Sequence, residues 1–140
     1  MKVTLENIKG LKFKGKNERG HEIYLDTKID LGGFDSAPTP METLLIALGG
    51  CTGMDVVSIL SKMRVNFSYF GIEIEGKRKD EHPKVFEKIH IKYLFGGENL
   101  PMEKLEKAIE LSLSKYCSVS NMLKGTAEIT YSIEIVPTQK

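Results

Sequence analysis

Two neighbouring stretches of the chain alternate apolar and polar residues. Apolar side chains stand at every second position, at Phe70, Ile72 and Ile74 in the first stretch and at Ile89, Ile91, Tyr93 and Phe95 in the second. Because successive side chains of a strand point to opposite faces, this period predicts two strands with one polar face each. The turn at 80–83 between them predicts a hairpin. The same alternation over 129–135 predicts a further strand.

Short apolar runs before residue 30 predict an N-terminal meander. Strands are expected over 2–8, 11–16 and 21–29, with turns near residue 10 and at 17–20. The segment 30–38, which contains two glycines and a proline, is predicted to be a loop that leads into the next element.

The stretch 39–63, TPMETLLIALGGCTGMDVVSILSKM, predicts the central helix. Thr39 and Glu42 have the spacing of a capping box, and Pro40 suits the first helical position. Apolar residues surround the first two turns, which is typical of a helix buried on all sides. Cys51 lies in its middle. Each of the glycines at 49, 50 and 53 costs about 1 kcal/mol relative to alanine, so we expect another backbone or a ligand to approach there.

A second helix is predicted from near Pro101 to Cys117, where apolar residues recur at helical spacing. A short helix capped by Ser118 or Ser120 follows and ends at Gly125. Strands and helices are segregated along the chain. The predicted fold class is therefore α+β, with a largely antiparallel sheet and a long buried central helix.

A helix that is apolar all round needs cover on every side, whereas each predicted strand offers one apolar face. A second subunit supplies the missing cover. We therefore expect a tight homodimer with the central helix near its two-fold axis.

Composition narrows the class of protein. The 140 residues are 41% hydrophobic, which predicts a single domain over 1–140. A net charge of +1 predicts neither nucleic acid nor an anionic membrane as a partner. No apolar run approaches the roughly 20 residues that a membrane span needs, and the first ten residues lack the apolar region of a signal peptide, so we expect a cytoplasmic protein.

The two cysteines are the candidate chemistry. In a reducing compartment they argue against a permanent structural disulfide and in favour of redox or metal chemistry. They stand 66 positions apart, and there is no CxxC or histidine spacing of a zinc site. Neither a metal nor another cofactor is therefore expected.

Four motifs resemble the OsmC/Ohr family, most closely its OsmC-like branch: TPME at 39–42, GGCT at 49–52, DVVSIL at 55–60 and KYCSVSN at 115–121. The resemblance covers nearly the whole chain. It implies an intertwined homodimer of α+β subunits in which two cysteines, here Cys51 and Cys117, reduce organic hydroperoxides without a metal or haem. It also implies recycling by a dithiol reductant such as a lipoylated protein.

The thiolate of Cys51 needs a stabilising group, because burial disfavours the charged form. The family uses an arginine held by a glutamate. Here Met41 occupies the glutamate position and Glu42 follows it, on the opposite face of the helix and about 13 Å from Cys51 along the axis. Glu42 is therefore interpreted first as the capping residue, with a role at the site only across a dimer interface. The segment 9–12 holds no arginine, so Arg19 in the next turn is the N-terminal candidate.

Asp55 lies one helical turn after Cys51 on the same face. It is a candidate to orient a donor or to accept a hydrogen bond from a substrate. The alternative is that Asp55 is an interface residue, bonded to the partner subunit or to a nearby backbone group.

Three functions follow from these residues. In the first, Cys51 attacks the peroxide and Cys117 resolves the sulfenic acid to a disulfide. In the second, the protein binds a small apolar ligand at the dimer interface. In the third, Cys51 serves a thiol–disulfide or acyl-transfer enzyme that does not use peroxide.

Overall fold

The computed structural model describes residues 1–137, and these form two compact units. The N-terminal unit is Met1–Ile46 and the C-terminal unit begins at Ala47, so the boundary falls inside the long helix. Each unit has one three-stranded sheet. The α+β class with a long helix is confirmed, while the single domain over 1–140 stays a prediction.

The sheet of the N-terminal unit is the predicted meander. Its antiparallel strands are β1 (Val3–Lys9), β2 (Lys12–Asn17) and β3 (Glu22–Leu25). The expected third strand over 21–29 is too long, because the chain turns away at Asp26, whose backbone N–H donates to the Pro38 carbonyl. Ile29–Leu31 forms a 3-10 turn instead.

Asp26 organises the loop that follows β3. Its buried carboxylate accepts hydrogen bonds from the backbone N–H groups of Thr27, Phe34 and Ser36 and, at 2.6 Å, from the Ser36 hydroxyl. The hydroxyl bond contributes most, and with the backbone bonds it outweighs the opposing effect of burial, so the pKa of Asp26 falls from 3.8 to about 2. The loop also requires Gly33, because a Cβ there would collide with the Thr27 carbonyl oxygen.

The sheet of the C-terminal unit joins three longer strands, β4 (Tyr69–Arg78), β5 (Phe86–Gly96) and β6 (Glu128–Ile135). The hairpin of β4 and β5 is antiparallel, as predicted. Strand β6 pairs with β5 in parallel. A parallel pair needs a long crossover, and residues 97–127 supply it.

The long helix α1 (Pro40–Lys62) begins at the predicted capping box. The Thr39 N–H donates to the Glu42 carboxylate at 3.0 Å, and the Glu42 N–H donates to the Thr39 hydroxyl at 3.2 Å. Within a single chain, the prediction that this helix is buried on all sides is wrong. A single stripe is buried, made of residues four apart: Leu48, Thr52, Val56 and Leu60. Apolar side chains off this stripe are exposed, among them Ile46, Met54 and Val57.

By length and composition alone, α1 is also long and apolar enough to span a membrane, since its 23 residues include only three charged ones, Glu42, Asp55 and Lys62. The expectation that no run is long and apolar enough is therefore wrong. The buried stripe gives the physical reason for the apolar composition within one chain, because a helix that packs into a protein core has the same composition.

Two glycines of α1 allow it to pack closely against β4. A Cβ added at Gly49 would lie 3.2 Å from the Ile74 side chain, and one at Gly53 would lie 3.2 Å from Ile72. At Gly50, apart from the chain neighbours and the backbone of α1 itself, no atom of residues 1–137 lies within 4 Å of the corresponding position. For Gly49 and Gly53, the close neighbour is thus a side chain of the sheet in the same unit, and not another backbone or a ligand as expected.

The crossover contains three helical segments, α2 (Met102–Leu111), a π-helical segment (Ser112–Tyr116) and α3 (Ser118–Leu123). The second helix is therefore not regular as far as Cys117. Its apolar stripe, Leu105, Ala108 and Ile109, is buried as the spacing predicts.

Candidate active site

The two cysteines lie near each other in the C-terminal unit. Cys51 is half-buried in the middle of α1, and Cys117 is completely buried at the start of α3. Both are free thiols. The Cys51 thiol lies near that of Cys117, close enough to be one of the lesser causes, after burial, that raise the pKa of Cys117.

Cys117 itself caps α3. Its sulfur accepts the Ser120 N–H at 3.4 Å, so the predicted caps, Ser118 and Ser120, are wrong. The cap lies one residue earlier because the π-helical segment ends at Tyr116, where the Cys117 N–H donates to the Ser112 carbonyl at 2.7 Å. Burial is the main cause that raises the pKa of the Cys117 thiol, and the Ser120 hydrogen bonds oppose it. Cys117 is thus held as a protonated thiol at neutral pH.

A chain of buried hydroxyl groups runs beside the cysteines. The Thr52 hydroxyl lies 2.7 Å from the Tyr93 hydroxyl and 2.8 Å from the Ser112 hydroxyl, and the Ser112 hydroxyl donates to Asp55 at 2.9 Å. Thr52 follows Cys51 directly in the sequence. The sequence pattern did not predict this hydroxyl chain, although a threonine on the apolar stripe of α1 and a serine on that of the predicted second helix are signals for it.

Asp55 ends the hydroxyl chain at a cavity. The cavity has a volume of about 390 Å³ and is lined by Asp55, Ser58, Ile59, Lys62, Met63, Leu111 and Tyr116. Asp55 is half-buried. Within the described residues its bonded neighbour is the Ser112 hydroxyl, a side-chain donor and not a backbone group, and its role toward a substrate or a partner subunit stays a prediction.

Glu42 and Arg19 belong to the N-terminal unit. The Glu42 carboxylate serves the capping box, and the Thr39 N–H is the main cause that lowers its pKa. Arg19 is exposed in the turn between β2 and β3, where its backbone N–H donates to the Asn17 side chain. These are the structural roles expected of a capping residue and of a turn.

The arginines of the C-terminal unit lie at the ends of elements. Arg78 donates from Nε to the Lys84 carbonyl in the β4–β5 hairpin, and Arg64 is exposed after α1. Over residues 1–137, no group of three or more His, Cys, Asp or Glu side chains has an arrangement suited to a metal ion.

Comparison with known proteins identifies the family. The sequence model of OsmC-like proteins matches residues 33–132. Protein YhfA of Escherichia coli K12 is 37% identical over 136 residues, which cover 97% of this chain and 98% of YhfA.

Solved structures agree with this match. A hypothetical protein from Aquifex aeolicus has a TM-score of 0.85 at 36% identity, over 99% of this chain and 97% of its own. An organic hydroperoxide resistance protein OsmC from Legionella pneumophila shares the fold, with a TM-score of 0.72 at 14% identity over 96% and 97% of the two chains. The match to the family model and the near-complete alignment with YhfA agree with the motifs around the two cysteines, and this chain belongs to the OsmC-like protein family.

Proposed function

We propose that this protein reduces organic hydroperoxides, with Cys51 as the attacking thiol and Cys117 as the resolving thiol. The observation that carries the proposal is the proximity of the two thiols, one on α1 and one at the cap of α3. Two free thiols 66 positions apart in sequence have been brought together inside one unit.

The reaction has two steps, after which the disulfide is reduced to regenerate the thiols. The Cys51 thiolate attacks one peroxide oxygen, the O–O bond breaks, and protonation of the leaving oxygen gives an alcohol and a Cys51 sulfenic acid. The Cys117 sulfur then displaces hydroxide from the sulfenic sulfur, and its proton leaves with the hydroxide as water. An external dithiol takes up the oxidising equivalents by reducing the disulfide and is itself oxidised.

The division of labour follows from the surroundings of each sulfur. Burial holds the proton on Cys117, and a protonated thiol is a poor nucleophile toward peroxide. Cys51 is only half-buried, so a substrate reaches it more readily. Cys117 therefore fits the second step, in which it attacks a sulfenic acid formed on the nearby Cys51.

Relatives support the proposal at the level of the family. The Legionella pneumophila and Bacillus subtilis proteins of this fold are named organic hydroperoxide resistance proteins. Supporting roles for Glu42 and Arg19 require contacts beyond those within the N-terminal unit, and we propose the dimer interface as the place for them.

We also propose the assembly and the setting that this chemistry needs. A homodimer covers the exposed apolar side chains of α1, which include Met54 at 77% exposed. Sedimentation at micromolar concentration tests it, and a folded monomer would contradict it. A dithiol reductant such as a lipoylated protein, and a cytoplasmic location that keeps thiols reduced, complete the proposal.

Mass spectrometry of the intact chain tests the reaction. One equivalent of cumene hydroperoxide is expected to remove about two mass units from the wild type through disulfide formation. Cys51→Ser should consume no peroxide above the uncatalysed rate. Cys117→Ser should react once and stop as a sulfenic acid that dimedone labels.

The other outcomes point to the alternative functions. If dimedone labels only Cys117 in the Cys51→Ser variant, the roles of the two cysteines are reversed. If neither cysteine changes mass, the peroxidase proposal is wrong, and binding of a small apolar ligand or a thiol reaction without peroxide takes its place. The cavity beside Asp55 is the observation that favours ligand binding.

A further inference from the structure

The hydrogen bonds of the buried hydroxyl chain all run in one direction, toward Asp55. Ionised Asp55 can only accept hydrogen bonds, so Ser112 uses its single proton to donate to it. Ser112 must then accept from Thr52, and Thr52 must accept from Tyr93. Burial raises the pKa of Tyr93 far above its usual range, which keeps the terminal donor protonated. Every hydroxyl in the chain is therefore satisfied and points toward the carboxylate.

Ser112 is the member that joins the two cysteine-bearing segments. Its hydroxyl bonds to Thr52, the residue after Cys51, and to Asp55 one turn later. Its carbonyl accepts the Cys117 N–H at 2.7 Å. One buried residue thus contacts the Cys51 turn of α1 through its side chain and Cys117 through its backbone.

We propose that the Thr52–Ser112 hydrogen bond positions Cys51 and Cys117 for disulfide formation, with Asp55 and Tyr93 fixing its direction. The inference rests on the proposed function in taking these cysteines as the reacting pair. Thr52 and Ser112 are positioning residues, because they act through the segments that carry the sulfurs. The hydroxyl chain restricts motion of the Cys51 turn relative to the Cys117 cap, which raises the effective concentration of one thiol toward the other.

The thiol–disulfide equilibrium with glutathione tests this directly. The reduced protein reacts with glutathione disulfide to give the intramolecular disulfide and two molecules of reduced glutathione. Its equilibrium constant measures the effective concentration. In Thr52→Val and in Ser112→Ala, which both remove the Thr52–Ser112 hydrogen bond, we expect it to fall about tenfold, which corresponds to about 1.4 kcal/mol.

Two control variants separate positioning from general damage. Thr52→Ser keeps the hydroxyl and should restore the wild-type value. Ser114→Ala removes a hydroxyl from the same π-helical segment, where it donates to the Glu110 carbonyl and takes no part in the chain, and should leave the constant unchanged. A group with only a structural role would lower the free energy of unfolding without changing the glutathione equilibrium of the folded protein.

The results that overturn the inference are specific. An effective concentration in Thr52→Val and Ser112→Ala within about twofold of the wild type, or an equal loss in Ser114→Ala, contradicts it. If the single variants do not fold, the double variant Thr52→Val/Tyr93→Phe leaves no unpaired hydroxyl, because Ser112 still donates to Asp55, and it should show the same tenfold loss.

Failure of the proposed function has a different signature. A wild type that forms the disulfide with glutathione but not with cumene hydroperoxide is not the peroxidase proposed above. The ratio between variants and wild type still decides the positioning role in that case. A wild type that forms no intramolecular disulfide with glutathione refutes the positioning role outright.

Discussion

Two aspartates of this protein each end a network of hydrogen bonds, and the networks differ in reach. All partners of the Asp26 carboxylate lie within ten residues of it, and three of them are backbone N–H groups. Asp55 ends a chain of side-chain hydroxyls in which the bonded residues are 57, 60 and 41 positions apart. The first network shapes one loop, whereas the second joins a helix, a strand and the crossover. A carboxylate that accepts hydrogen bonds from nearby backbone N–H groups stabilises its own loop. A carboxylate that ends a chain of side chains from distant parts of the sequence can also align the elements that carry those side chains.

The largest expected effect is on stability at Asp26. Asp26→Ala leaves three backbone N–H groups and the Ser36 hydroxyl without their acceptor, so it should lower the urea midpoint most of all the substitutions considered. Asp30→Ala removes the same charge from an exposed position of the same loop and should change little. Equal midpoints for the two variants would contradict the role of the Asp26 network.

Acid should act on the same network. The pKa of Asp26 is lowered to about 2, so its contribution to stability is present above about pH 4 and is lost as pH falls through 2. Asp26→Asn should therefore be less stable than the wild type at pH 7, and the difference should close toward pH 2. Urea unfolding at a series of pH values measures this, and a gap that is constant with pH would refute it.

A smaller effect is expected at Asp55. Asp55→Ala leaves the Ser112 hydroxyl without its acceptor and should cost about 1 to 3 kcal/mol of unfolding free energy. Asp55→Asn keeps a carbonyl oxygen in reach and should cost less. A loss in Asp55→Ala below about 0.5 kcal/mol, the usual range of surface substitutions, would show that the hydroxyl chain does not need its acceptor.

The smallest effect is expected on the stability of the C-terminal unit at alkaline pH. Burial raises the pKa of Cys117 above its ordinary 9.0, so the folded state keeps a proton that the unfolded chain loses. The stability of the reduced protein should therefore fall as pH rises from about 9, opposite in sign to the effect of Asp26. Cys117→Ser should remove the part that begins near pH 9, and the share of Tyr93, which titrates higher, should remain. An identical slope in wild type and variant would contradict this.

Local signals predicted the elements well. The capping box at Thr39 and Glu42 forms as expected, and the two alternating stretches pair as the predicted hairpin. The motifs around Cys51 and Cys117 identified the family. These features depend on residues close together in sequence or on spacings that hydrophobic period defines.

The predictions that failed mainly concern contacts between residues that lie far apart in the sequence. Helical spacing does not reveal that Ser112 begins a π-helical segment, so the pattern predicts the cap of α3 one or three residues after Cys117. Glycine content shows that something approaches α1 but does not show that Ile72 and Ile74 are the neighbours. The Thr52 hydrogen bonds depend on partners 41 and 60 positions away, which no local pattern encodes.

The parallel pairing of β5 with β6 has a consequence for how the chain folds. The crossover at 97–127 carries Cys117, and both of its ends are held by strands of one sheet. Closing a loop of this kind costs entropy before its contacts form, so such pairing is slow. In an incompletely folded chain the two sulfurs are separated by 66 positions, and nothing aligns them. If the two cysteines react as proposed, the intramolecular disulfide should therefore form faster in molecules that have completed the sheet than in incompletely folded ones.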